Sequence, residues 1–135
     1  MTNSILSNEY VTDTMALVLH LENRRSSPAV KQIFNGADRG EVTIHIPAIV
    51  FAEILYLSEK GRISLSLSDL QTHLASKPNY SPIALNFEIV QNAQLISDIP
   101  ELHDRLIGST ANLVDLELIT NDPKIQNSAF VRTVW

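Results

Sequence analysis

Val42-Thr-Ile-His-Ile-Pro-Ala-Ile-Val-Phe-Ala-Glu-Ile-Leu-Tyr-Leu-Ser-Glu-Lys-Gly61 changes its apolar period once, at Pro47. Before the proline, Val42, Ile44 and Ile46 alternate and share one face of a strand. After it, Ala48 to about Lys60 reads as a helix, and Gly61 is placed to cap its C-terminus. That helix is apolar nearly all round, which predicts that it is largely buried. A strand leading directly into a helix is the repeating unit of an α/β fold.

The same unit recurs on both sides. Residues 9 to 13 predict a strand ending at Asp13, followed by a helix from about Met15 to Glu22. Pro28 suits a first helical turn, and its helix runs to about Asp38, before Gly40. Ser68-Asp69 reads as the cap of a helix through Ser76. Pro82 to Leu85 reads as a strand, and Asn86 as the N-cap of a helix through about Ser97. A helix from Leu102 to Val114 and a strand from Glu117 to Asn121 follow, and Phe130 to Trp135 closes the sheet. The expected fold class is α/β, with a central parallel sheet of four to five strands.

With 135 residues, 44% hydrophobic and 19% charged, the chain fits one globular domain, residues 1–135, large enough to bury a core. No apolar run approaches the roughly 18 residues of a membrane helix. The opening Met1-Thr-Asn-Ser-Ile-Leu-Ser-Asn-Glu9 has neither the basic nor the apolar region of a secretory signal, and there is no cysteine, so a cytoplasmic location is expected. The net charge of −5 argues against binding nucleic acid mainly by phosphate neutralisation. It leaves a nucleic-acid substrate open, because a bound cation reverses the local field. The basic pairs Arg24-Arg25 and Lys60-Gly-Arg62 read either as solvated helix ends or as phosphate contacts.

Four acids stand inside apolar words: Asp13 in Tyr10-Val-Thr-Asp-Thr-Met-Ala-Leu-Val, Glu53 in the stretch above, Asp104 in Leu102-His-Asp-Arg-Leu-Ile, and Asp122 in Leu118-Ile-Thr-Asn-Asp-Pro. Carboxylates withdrawn from water are paired, hydrogen-bonded or metal-bound. Each has an ordinary alternative. Asp13 could cap the helix behind it, Asp122 could start an Asn-Asp-Pro turn, and Asp104 could complement a helix dipole or pair with Arg105. Glu53, in mid-helix, caps nothing. Asp13 and Asp122 fall at strand C-termini, where open parallel sheets bind their ligands. If the fold gathers all four, repulsion raises some of their pKa values unless a divalent cation neutralises the cluster. Thr14, Asn121, Ser109 and Thr110 are candidates to steady these carboxylates, with ordinary helix or turn hydrogen bonds as the alternative. The histidines His20, His45, His73 and His103 lack ligand-like spacing, and His103 reads as a surface residue. No cysteine nucleophile, Gly-rich phosphate loop or Gly-x-Ser-x-Gly elbow is present. An Asp-x-Asp phosphatase fails at Met15, and a response-regulator phosphoacceptor lacks its second adjacent acid.

With these words in order, the chain resembles the PIN domain family over almost its whole length, and within it the VapC-type ribonuclease toxins. Asp13-Thr before an apolar helix, Ile46-Pro-Ala-Ile-Val-Phe-Ala-Glu-Ile, Asp104-Arg-Leu-Ile-Gly-Ser-Thr-Ala and Leu118-Ile-Thr-Asn-Asp each look like a family block. Met15 departs from a position often small, polar or His, and Gly108 from a common Ala. The resemblance implies a three-layer α/β/α PIN-like fold. It further implies a metal-dependent endoribonuclease, the toxin of a type II toxin–antitoxin pair, in which Asp13, Glu53, Asp104 and Asp122 hold one or two Mg²⁺ or Mn²⁺ ions. Asp13 and Asp122 are expected as direct ligands and Asp104 as the next, shared with any second metal, while Glu53 is expected either to bind through water or to position the nucleophile. A metal-activated water would cut RNA to leave a 5′-phosphate and a 3′-hydroxyl. The implied partners are an RNA substrate, a cognate antitoxin and a second copy of the chain, with the helices around Tyr56-Leu57 and Leu70 to Leu74 as candidate contacts. The alternative is a non-catalytic PIN-like module that binds RNA or protein.

Overall fold

The computed structural model describes residues 8–135; residues 1–7 of the expected single domain lie outside the described residues. Five strands form one all-parallel sheet: β1 (Glu9–Thr12), β2 (Thr43–Pro47), β3 (Tyr80–Ile83), β4 (Leu118–Ile119) and β5 (Thr133–Val134). Their spatial order is β3-β2-β1-β4-β5. The chain steps outward from β1 to β3, then returns to the other side of β1 for β4 and β5. The strand order therefore reverses between β1 and β4, where Val11 registers with Leu118 and Thr12 with Ile119.

The helices are α1 (Thr14–Leu21), α2 (Pro28–Asp38), α3 (Ala48–Glu59), α4 (Leu67–Ser76), α5 (Phe87–Ala93), α6 (Leu102–Val114) and α7 (Pro123–Gln126). Their boundaries follow local chemistry. Ser27 caps α2 by accepting from Val30 N–H, with Pro28 in the first turn as expected. Gly61, at φ +69°, ends α3 in the left-handed region that glycine enters freely. α4 begins earlier than expected: Ser66, not Ser68-Asp69, is the cap, and Asp69 closes a reciprocal capping box back onto Ser66 N–H. β3 lies two residues upstream of the expected Pro82 to Leu85, because Ile44 to Pro47 pair with Tyr80 to Ile83. α5 stops at Ala93 rather than Ser97, and β4 is only two residues long.

Core side chains come from every layer. Leu17 of α1, Phe34 of α2, Ile44 and Ile46 of β2, Ile54 of α3, Ile107 of α6 and Leu118 and Ile119 of β4 are fully buried. The expectation that α3 is largely buried is corrected. Val50 and Ile54 are its only fully buried side chains, while Leu55 and Tyr56 are exposed. An all-apolar helix here covers the core with one face and lines an open cleft with another. Leu70 is core, whereas Tyr56 is surface. Asp38 joins three elements: Tyr80 hydroxyl donates to it at 2.7 Å and His20 Nε2 lies at 2.9 Å.

The α1–α2 connection is tied to the α3–α4 connection by Glu22. Its carboxylate accepts from Ser64 N–H at 2.7 Å, Ser64 hydroxyl at 2.8 Å and Leu65 N–H at 2.8 Å, with Arg24 at 3.0 Å. Burial works to raise its pKa, but these donors together hold it down at about 2. Because the folded pKa is depressed, this group's stabilisation is present above about 4.5 and is lost as pH falls through about 2. Glu22→Gln is expected to cost about 2 kcal/mol at neutral pH, the scale of charged hydrogen bonds. In urea melts, the gap to wild type should shrink as pH falls below about 4.5.

Candidate active site

All four acids predicted from the sequence line a single cleft of about 660 Å³ at the C-terminal edge of the sheet. It opens at the β1/β4 reversal, the place where such sheets bind ligands. Asp13 follows β1 and is bound into the sheet by its N–H, which donates to Ile119 carbonyl at 3.1 Å. Its side chain also caps α1, with Oδ1 accepting from Ala16 N–H at 2.8 Å. The cap alternative and the site placement therefore hold together. Asp122 sits two residues after the Thr120 that ends the buried run of β4. It caps the short helix α7 through Lys124 N–H at 2.9 Å, so the Asn-Asp-Pro signal starts a helix rather than only a turn.

Glu53 projects from the second turn of α3, which leaves the sheet beside β1. It is not an acid without partners: Thr14 hydroxyl donates to its Oε1, and His103 Nδ1 lies 3.4 Å from its Oε2. Asp104 stands in the first turn of α6, where its N–H donates to the capping Glu101 carboxylate at 2.8 Å. Among the described residues it makes no ion pair with Arg105, since neighbours on a helix diverge.

The proximity of these acids is visible in their protonation. Burial raises the Asp13 pKa to about 6, with Asp122 and Glu53 adding to the effect and hydrogen bonds from Thr120 and Ala16 opposing it. Asp104 is likewise raised to about 6, first by burial and then by Glu101, Asp122, Glu53 and Asp13. Among the described residues, no lysine or arginine lines the cleft. Asp13 and Asp104 are therefore held where their acidic neighbours are felt, with no lysine or arginine in the lining to offset them.

The sequence expectations for supporting residues divide. Thr14 and Asn121 line the cleft. Ser109 does not support the carboxylates: its buried hydroxyl donates to Ile89 carbonyl at 2.7 Å and accepts from Asn92, fastening α6 to α5. Thr110 bonds back to Leu106 carbonyl within its own helix. Two residues were missed. Thr120, fully buried, bonds the Asp13 carboxylate and accepts Asp122 N–H at 3.1 Å, joining the two acids at the strand ends. Its signal was a hydroxyl residue two positions before Asp122, at the end of the apolar run Leu118-Ile119. The other is His103, which is exposed, as a surface residue should be, but also lines the cleft between Glu53 and Glu101.

The donor set suits a hard divalent cation, with carboxylate oxygens and no sulfur. As they stand, no three His, Asp or Glu side chains among the described residues are arranged to hold one ion together. An oxygen-only set of this kind would suit a Mg²⁺ or Mn²⁺ ion that keeps several waters and takes only one or two carboxylates directly. Thr14→Val, which keeps the shape but removes the hydroxyl on Glu53, is expected to weaken Mn²⁺ binding about tenfold in calorimetry, with little change in melting temperature.

A five-stranded parallel sheet carrying acids at the switch point defines an α/β protein with an acidic cleft at its strand ends. The PIN domain profile matches residues 10–131, and the chain belongs to the PIN domain family, whose three-layer α/β/α fold it adopts. Among solved structures, it is similar to a chain of VapBC2 from Rickettsia felis bound to a DNA fragment from their promoter. The identity is 19%, the TM-score 0.72, and the match covers 94% of this chain and 98% of that one. DNA-bound VapBC from Salmonella typhimurium matches at 16% identity and TM-score 0.69, covering 93% and 96%. A toxin–antitoxin complex from Klebsiella pneumoniae matches at 19% identity and TM-score 0.65, again covering 93% and 96%. At these identities the likeness is one of fold. No curated protein matches the sequence. Among the described residues, no helix is long and apolar enough to cross a membrane.

Proposed function

We propose that this chain is a metal-dependent endoribonuclease, the toxin component of a type II toxin–antitoxin pair. The observation that carries the reading is the convergence of Asp13, Glu53, Asp104 and Asp122, from four separate elements, on the one cleft at the strand reversal. Asp13 and Asp122 would hold Mg²⁺ or Mn²⁺ directly, Asp104 next, and Glu53 through water. The cation supplies Lewis acidity that makes water a nucleophile near neutral pH and neutralises charge on the phosphate. The chain's own part is positioning. Thr120 fixes Asp13 relative to Asp122, Thr14 fixes Glu53, and the α1 cap engages one Asp13 oxygen, Oδ1, through Ala16 N–H. The apolar wall formed by Ile49, Leu57 and Ile107 lowers the dielectric around the reacting phosphate.

The relatives of like fold include a toxin–antitoxin complex and VapBC assemblies, which supports an antitoxin as partner; a homodimer acting on RNA in the cytoplasm belongs to the same proposal and rests on the family resemblance. A second reading, a non-catalytic PIN-like module that binds RNA or protein, is favoured by the lack of any ready-made three-ligand arrangement among the described residues. Incubation of a labelled RNA with Mg²⁺, Mn²⁺ or chelator decides between them. Metal-dependent products ending in 5′-phosphate and 3′-hydroxyl support the nuclease. Intact RNA under every condition supports the binding module.

A further inference from the structure

Tyr56 is the one tyrosine, phenylalanine or tryptophan among the residues that line the cleft, and it is 51% exposed. It belongs neither to the core nor to the side chains packed against it. Held in water beside four carboxylates, so large a ring adds nothing to the packed core. The adjoining wall is apolar, formed by Met15, Ile49 and Ala52, and so suits the flat face of an uncharged ring system.

The same helix supplies the missing positive charge. Lys60 Nζ sits 5.7 Å from the centre of the Tyr56 ring, and Lys60 enters no ion pair among the described residues. Glu53, Tyr56 and Lys60 stand at positions i, i+3 and i+7, on one stripe of α3. At the rise of a helix, Tyr56 lies about 5 Å and Lys60 about 10 Å along the axis from Glu53. An acid that serves the cation, an aromatic face and an unpaired ammonium thus follow one another along a single line leading out of the cleft. An ammonium on that path lowers the repulsion that a polyanion meets as it nears the acidic cluster.

Resting on the nuclease reading above, we propose that Tyr56 and Lys60 form a nucleotide subsite beside the cleaved bond, Tyr56 stacking on one base and Lys60 meeting the phosphate beyond it. Such stacking needs an unpaired base, since a base paired within a duplex cannot present its face to Tyr56. Stacking tolerates any base, so the subsite sets strandedness and affinity rather than sequence.

The test uses the full-length protein and a fluorescent single-stranded RNA. Binding is read by anisotropy in an Asp13→Asn background, and cleavage kinetics in the wild-type background. Tyr56→Ala is expected to weaken RNA binding and raise KM by roughly tenfold or more, with kcat changed much less, while Tyr56→Phe stays near wild type. Lys60→Gln is expected to weaken binding and to reduce the salt dependence of log K by about one. A hairpin with no unpaired bases near the cut should be insensitive to Tyr56→Ala. Cleavage by wild type with unchanged KM and binding in Tyr56→Ala overturns the subsite while leaving the nuclease reading intact, and marks Tyr56 as a surface for a protein partner. Equal damage from Tyr56→Phe also overturns stacking, since only the hydroxyl is lost. If the wild type cuts nothing, the nuclease reading fails by itself, and the anisotropy series still decides whether Tyr56 holds a base. Both residues are exposed, so the variants should melt with the wild type.

Discussion

Replacing Asp13 by Asn is expected to lower RNA cleavage by about a hundredfold or more while making the metal-free protein more stable at neutral pH. The two effects have one origin. Asp13 is 8% exposed and its pKa is raised to about 6, first by burial and then by Asp122 and Glu53. A carboxyl whose folded pKa exceeds its unfolded value of 3.8 contributes stability that is complete below about 3.8 and is lost as pH rises through about 6. Asn stays neutral and does not incur that loss, yet its side-chain oxygen can still accept Ala16 N–H as the α1 cap. The stability gain of Asp13→Asn should therefore grow between pH 4 and 6 and level off above it, at about 2 to 3 kcal/mol. Asp13→Ala should gain less, by about 1 kcal/mol, because the cap is lost as well. The cleavage loss follows from removing a charged, preorganised group whose contribution is made at the reacting phosphate. Urea melts across pH, run beside cleavage assays, check both halves. An acid serving only to cap α1 would leave cleavage unchanged in Asp13→Asn.

The second large effect is expected from Ile54→Ala. Ile54 is fully buried and lies next to Glu53, anchoring the face of α3 opposite its exposed stripe. Truncating a fully buried isoleucine costs about 2 to 5 kcal/mol, depending on how far the site collapses. α3 packs against α1 and α6, which supply Thr14 and Asp104, so a loosened α3 also misplaces Glu53. The expected result is a lowered urea midpoint together with weaker Mn²⁺ binding that does not recover when the protein is fully folded at low temperature. Loss of stability with unaltered metal affinity in the folded protein would detach the position of Glu53 from the packing of Ile54.

What could be read in advance depended on how local the physics was. Proline at Pro28 and Pro47, the Asn86 cap and the left-handed Gly61 act within a turn of themselves, and the elements they start or stop fell where expected. β3 was misplaced because its register is set by β2, a partner distant in sequence, rather than by its own residues. The burial of α3 was overestimated because periodicity reveals which residues are apolar but not whether a cleft or a core faces them. At the site, the four acids stood out because each violated its apolar surroundings. Ser109 and Thr120 are both small hydroxyl residues near such an acid. Only the fold determines that one reaches α5 and the other reaches Asp13. His103 was passed over for the same reason: its closeness to Glu53 joins α6 to α3 across a long separation in sequence.

Whether these acids serve a cation is decided by calorimetric titration of Mn²⁺ into the folded protein near pH 7.5. Saturable binding to the wild type, strongly weakened in Asp13→Asn and Asp122→Asn, is the predicted result. No binding to the wild type, or equal binding to all three proteins, would contradict it.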